Sequence, residues 1–274
     1  MDAGAAQRGR GLGVSAKPTI RIIRSLARSG GTLVGKCIGC MEGVVMLSEV
    51  HPANRSVTNP MMQAHDWFGL VTKKDIARFK VRPPSMLQFL ALCETRASGL
   101  SKRLVLRDWS HLDYVGVPYC EPEFGYGLSE ALGDAYTIRT ATLVRHPLDQ
   151  YLSLLGLPVV AQSLDLDRYL LGCRRYAEFA SEHGFVRYED FTTDPDAALN
   201  SICADLDLAF DPGYRTKWFD YLTITGDIVA GLGRGSMKKE IVAMERKPAD
   251  DALLTRFLAN EDYQRACELL GYEL

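Results

Sequence analysis

Residues 20–39 read IRIIRSLARSGGTLVGKCIG. A β-branched apolar run ends in a Ser/Gly-rich turn, and the turn passes straight into an apolar, helix-compatible segment. That order predicts a strand, a tight loop and a helix. At such a junction the unpaired N–H groups of the first helical turn, with a nearby cation, hold an anion. The stretch therefore points to an α/β fold with a nucleotide-type ligand at a strand's carboxyl end.

The rest of the chain continues the alternation. Apolar runs at Thr19–Leu26, Val44–Leu47, Arg103–Leu106, Thr137–Val144 and Phe185–Tyr188 predict strands. Helical patterns near 31–42, 84–98, 147–155, 165–183, 195–206 and 251–270 lie between and after them. Strands alternating with helices predict a three-layer α/β/α fold around a mainly parallel sheet. Residues 52–83 break the rhythm with Pro, Asn, Met and aromatics, and read as a substrate-facing insertion within one domain over 18–274. Residues 223–250 are Gly-rich and basic and read as a long loop.

Composition narrows the function classes. A net charge of −2 over 274 residues gives no reason to expect a nucleic-acid partner, so an anionic ligand needs local cations. No apolar run approaches the ~20 residues that span a bilayer, and no membrane partner is expected. Residues 1–17 lack the apolar core of a secretory signal and read as a disordered leader. The seven scattered cysteines suit reduced thiols and a cytoplasmic setting. Cys37 and Cys40 form a CxxC without a second pair, and are expected to be buried structural thiols. The sequence leaves the oligomeric state open.

The phosphate loop admits two registers. GGTLVGKC, Gly30 to Cys37, nearly fits GxxxxGK(S/T), with Lys36 on the phosphates. In that register LVLRD, ending at Asp108, passes as the metal-side strand, and the protein is a P-loop small-molecule kinase using ATP and Mg²⁺. Cys37 then stands where a hydroxyl should meet Mg²⁺, and a thiol suits a hard cation poorly. The other register is Ala27 to Leu33, ARSGGTL, in which the cation precedes the glycines. Arg28 then stands at the strand end, and Ser29, Gly30, Gly31, Thr32 and Leu33 wrap the anion.

A second motif separates the two. Residues 142–154 read TLVRHPLDQYLSL, with Pro147 suited to a first helical turn and Ser153 eight residues after Arg145. An arginine at a strand end and a serine two turns into the next helix can converge on one phosphate. With ARSGGTL before it, this resembles the sulfotransferase family. Its 5′-phosphosulfate loop is usually P-(K/R)-S-G-T-T, and its 3′-phosphate motif opens Arg-x-Pro with Ser eight positions on. Ala27 and Gly31 depart from that loop. FVRYEDF, residues 185–191, is similar to the family strand ending in Tyr-Glu-Asp, and GLGRGS, residues 231–236, lies where the family has a basic Gly-rich loop.

The resemblance implies a P-loop-type sulfotransferase fold, 3′-phosphoadenosine 5′-phosphosulfate (PAPS) as donor and adenosine 3′,5′-bisphosphate (PAP) as product, with no metal. Arg28 would stabilise the leaving phosphate electrostatically, since its pKa exceeds ~12. Arg145 and Ser153 would hold the 3′-phosphate, Tyr188 would lie by the adenine, and Arg234 and Gly235 would close over the phosphate. Arg107 would hold a sulfuryl oxygen. Two residues compete as general base, Glu49 at the second strand's end and His111 after RLVLRDWS, with His51 and His65 as lesser alternatives. In the sulfotransferase register Lys36 becomes a helix-surface or helix-packing residue. Met61, Met62, His65, Trp67 and Phe68 are candidates for an acceptor wall. The acceptor, a small molecule or a glycan with a hydroxyl or amine, is not specified. A nucleotide-binding protein without catalysis is a further alternative.

Overall fold

The computed structural model describes residues 17–53, 58–226 and 239–274. Among them five strands form one parallel sheet: β1 (Thr19–Ser25), β2 (Val44–Val50), β3 (Arg103–Asp108), β4 (Thr137–Val144) and β5 (Val186–Arg187). Their spatial order is β2-β3-β1-β4-β5. The chain leaves β1 toward one edge and later crosses it to build the other. This places the topological switch point, where such sheets bind ligands, at the carboxyl end of β1.

Helices follow every strand. α1 (Gly31–Gly39) links β1 to β2; α2 (Pro60–Asp66), α3 (Lys73–Val81) and α4 (Met86–Gly99) link β2 to β3. The short α5 (His111–Tyr114) and α6 (Gly127–Leu132) precede β4. α7 (Pro147–Leu154), α8 (Pro158–Ala161) and α9 (Leu166–His183) precede β5, and α10 (Tyr188–Thr193), α11 (Pro195–Asp205), α12 (Asp251–Ala259) and α13 (Glu261–Leu270) complete the chain.

The strands' period of two divides their side chains between two helical layers. Ile20, Ile22, Val45, Leu47, Leu104 and Leu106 pack with Ala64 of α2 and Phe89, Leu90 and Cys93 of α4. The alternate positions Ile23, Met46, Val105, Ala141 and Leu143 pack with Val34, Cys37 and Ile38 of α1 and with Leu199, Ile202 and Cys203 of α11. A third cluster joins Val144 to α7, α9, α12 and α13 through Leu148, Tyr151, Tyr169, Phe257 and Tyr263. The expected three layers are present.

Three local readings are corrected. The helix expected over 251–270 is two helices, because Asn260 adopts extended dihedrals (φ −91, ψ 121) and caps α13 by accepting from the Tyr263 N–H. The fifth strand ends at Arg187, and Tyr188 opens α10 instead. The second strand runs to Val50 with a register shift between Ser48 and Val50, so Glu49 is bulged out of the ladder. Of the two places expected for Lys36, helix surface or helix packing, it takes the second and is buried on α1.

The CxxC thiols are packed, not reactive. Cys37 lies in the core, Cys40 Sγ donates to the Cys37 carbonyl at 3.2 Å, and burial raises both thiols, Cys40 to about 11. No described helix is long and apolar enough to cross a membrane.

Candidate functional site

A cleft of about 630 Å³ opens at the carboxyl ends of the strands. Its floor is the loop from β1 to α1. Ser29 N–H donates to the Leu26 carbonyl at 3.2 Å, closing a turn. Arg28 and Gly30 take left-handed dihedrals, φ 72 and 85. An arginine in that region is uncommon and must be held by its surroundings.

Segment 145–153 holds it. Arg145 Nη1 donates to the Arg28 carbonyl at 3.1 Å, Gln150 Nε2 to the Ala27 carbonyl at 2.7 Å, and Arg28 Nε to Ser153 Oγ at 2.7 Å. The two motifs read from sequence thus meet in one hydrogen-bonded unit. Gln150 had no signal in the sequence, because its role is to bind a carbonyl that becomes available only in the folded loop.

The first turn of α1 carries no acidic residue and no side-chain cap, so its N–H groups and the macrodipole face the cleft floor. The Tyr188 ring lies against Gly30, where a Cβ would overlap it, and the Arg145 guanidinium sits 4.7 Å from the ring centroid. Arg145 Nε is buried without a hydrogen-bond partner among the described residues. Gly31 also has a local reason: a Cβ there would overlap Ser25 Oγ. That contact accounts for glycine where the family loop has threonine.

The other wall carries the candidate bases. The bulge puts Glu49 at φ 54 and turns its carboxylate onto Arg107, Nη2 to Oε1 at 3.2 Å. Arg107 is buried, and its Nε and Nη2 also donate to Ser48 Oγ at 2.9 and 2.7 Å, with Nη2 reaching the Thr225 carbonyl at 2.9 Å. Three of the predicted residues (Arg107, Glu49, His111) therefore line one cleft with Arg28, Arg145, Ser153 and Tyr188.

His111 opens α5 with 1% exposure. Its Nε2 lies 2.8 Å from the Val117 carbonyl, which can only accept, so Nε2 carries the hydrogen and Nδ1 carries the lone pair. Nδ1 has no partner among the described residues. Burial lowers this imidazole below its ordinary 6.5, against the opposing pull of the Val117 carbonyl and Glu49.

Beneath this wall lies a buried pair absent from the sequence reading. Arg24 Nη1 meets Asp108 Oδ2 at 3.2 Å, Ser110 Oγ donates to the same oxygen at 2.8 Å, and Arg24 Nη2 donates to Ser129 Oγ at 2.5 Å. Burial raises the Asp108 carboxyl, opposed mainly by Arg24. His51, a lesser base candidate, is engaged with Asp113 Oδ1 at 2.9 Å, and His65 Nδ1 with the Val71 carbonyl at 2.6 Å.

From residues 52–83 the cleft takes only Thr58 among the described residues; Met61 and Phe68 pack toward the core beside α4. That side of the cleft is lined instead by Trp109, Tyr119, Leu157 with Val159 and Val160 of α8, and the irregular segment 239–250. Arg234 and Gly235 lie outside the described residues.

The architecture matches solved sulfotransferase domains over nearly its whole length. One, from the Synechococcus PCC 7002 olefin synthase, is 20% identical with a TM-score of 0.64, covering 94% of this chain and 97% of that one. Another, from the curacin biosynthetic pathway, is 19% identical with a TM-score of 0.63, covering 95% of this chain and 100% of that one. No family model and no curated protein sequence matches the chain. The chain has the sulfotransferase fold.

Proposed function

We propose that the protein is a sulfotransferase that moves a sulfuryl group from PAPS to an acceptor hydroxyl or amine. One observation carries the reading: Arg28, Arg145 and Ser153 form a single cationic unit over the uncapped N-terminus of α1. The donor set suits a nucleotide with separated anionic groups. Backbone N–H groups of Gly31, Thr32 and Leu33 with Arg28 would hold the 5′ end, and Arg145 with Ser153 the 3′-phosphate. Ser29, Gly30 and Tyr188 would shape the floor and the base platform. The orphaned Arg145 Nε supplies a buried donor for that anion to satisfy.

PAPS when bound supplies the sulfuryl group: the acceptor oxygen or nitrogen bonds to sulfur, the bond to the bridging phosphate oxygen breaks, and PAP leaves. Arg28 is positioned to offset charge on that phosphate. The acceptor's proton goes to a base on the opposite wall. The geometry favours His111, whose Nε2–H is held by the Val117 carbonyl and whose Nδ1 lone pair has no partner among the described residues. Glu49 is engaged with Arg107, a contact that suits it to orienting that arginine.

Calorimetric titration with PAP in the absence of Mg²⁺ tests the reading, with tight binding expected. A folded protein that ignores PAP overturns it.

The kinase reading retains one point in its favour: Lys36 is buried and reaches the cleft. Against it, Cys37, the residue in the metal-ligating position of that register, packs into the core with no exposed surface. Binding of ATP that depends on Mg²⁺ and outcompetes PAP would reverse the preference.

A further inference from the structure

Val159, Val242 and Met244 are 58%, 44% and 58% exposed, and all three line the cleft. Single exposed apolar side chains are ordinary on a protein surface, but a group of them at one concave mouth with a polar rim marks a ligand groove. The three come from two segments distant in sequence, α8 and the irregular stretch 239–250.

That stretch is tied to the donor side. Arg246 makes a two-pronged contact with Asp149, Nε to Oδ1 at 2.9 Å and Nη2 to Oδ2 at 3.3 Å. Lys247 Nζ donates to the Leu152 carbonyl at 3.3 Å. Both anchors are on α7, the helix that carries Ser153, so the apolar wall is fixed relative to the cationic unit. Ile241 packs against the core, which leaves Val242 and Met244 toward the opening.

We infer that the acceptor is a neutral alcohol with an apolar, alkyl-type body. Its hydroxyl lies at the Glu49–His111 wall and its body passes between Val159 and the Val242–Met244 stretch. This rests on the sulfuryl-transfer reading above. A glycan would set its hydroxyls against three side chains that can neither donate nor accept, leaving them unpaired. Segment 239–250 contributes Glu240 and Glu245 to the lining against Lys247, whose Nζ is engaged by the Leu152 carbonyl, so it offers an anionic body no surplus of positive charge.

The test titrates n-alkanols from butanol to decanol, and maltose, into the full chain by calorimetry, with and without saturating PAP. Affinity is expected to rise about two- to fourfold per added methylene, as burial of apolar surface requires. The doubly substituted Val242→Ser, Met244→Ser protein is expected to lose most of that slope and to bind PAP as the unaltered protein does. Because both positions are exposed, folding is not at stake, and PAP binding reports it. A flat series, tighter binding of maltose than of octanol, or an unchanged slope in the double variant overturns the inference. If PAP fails to bind while the alkanol slope and its loss are seen, the donor assignment falls and the apolar groove stands.

Discussion

Arg28 Nε donates to Ser153 Oγ at 2.7 Å, joining residues 125 positions apart in the chain. The contact ties the β1–α1 loop to α7 and makes the two motifs one unit. Arg145→Ala is expected to weaken PAP by about 30-fold or more, while adenosine 5′-phosphate weakens by no more than about threefold. Ser153→Ala should weaken PAP by about tenfold. Calorimetry with the two nucleotides reads both, and equal losses for the pair on Arg145→Ala would remove the 3′-phosphate from that arginine.

Gly31 stands where the resembling loops carry threonine, and Ser25 Oγ occupies the space a side chain would need. Gly31→Thr is therefore expected to lower stability by about 1–3 kcal/mol, the usual range for overpacking. Adding Ser25→Ala should recover part of it. Urea denaturation of the single and double variants checks this, and a Gly31→Thr protein as stable as the original would show that the loop can shift away.

His111 and Glu49 separate by substitution. His111→Gln is expected to lower kcat about 100-fold with PAP affinity unchanged, the size of effect general-base removal gives. Glu49→Gln should cost about tenfold, because it loosens Arg107 without removing the proton acceptor. Steady-state assays of PAP release with an alkanol acceptor measure both. The reverse order would make Glu49 the base.

The same histidine sets a pH dependence of stability. Burial lowers its folded pKa below 6.5, so the unfolded chain takes up the proton first as pH falls. Its contribution is complete above 6.5 and is lost progressively below that value, toward the depressed folded pKa. The urea midpoint of the unaltered protein should thus fall more steeply between pH 7 and pH 5 than that of His111→Gln. Parallel slopes would mean that His111 titrates normally in the fold.

Much of the site was legible because its chemistry is local. ARSGGTL specifies a strand–loop–helix junction through residue types that act within a few positions, and Arg145 to Ser153 is a spacing along one helix. Residues whose role depends on a distant partner left no such mark. Gln150 is one glutamine on a helix until the Ala27 carbonyl turns toward it. Arg24 looks like an ordinary strand residue, and Asp108 reads only as the end of a metal-side strand, until β1 and β3 lie side by side and bury both. The apolar run IVAM between two glutamates at 240 and 245 was a usable signal for the acceptor wall, but its charged setting reads as loop.

By itself the sequence determined the α/β alternation and the parallel sheet, and it brought forward Arg28 and Arg145 as candidate cations, because periodicity and turn chemistry are short-range. It favoured the sulfotransferase register of the loop through Arg145 and Ser153, and left the base open between Glu49 and His111. Tertiary structure set the surroundings of these residues. Packing sends Cys37 into the core, a bulge turns Glu49 onto Arg107, and burial leaves His111 Nδ1 with its lone pair. Each of these outcomes depends on which groups are brought together and desolvated, and that is a property of the assembled layers rather than of any stretch of chain.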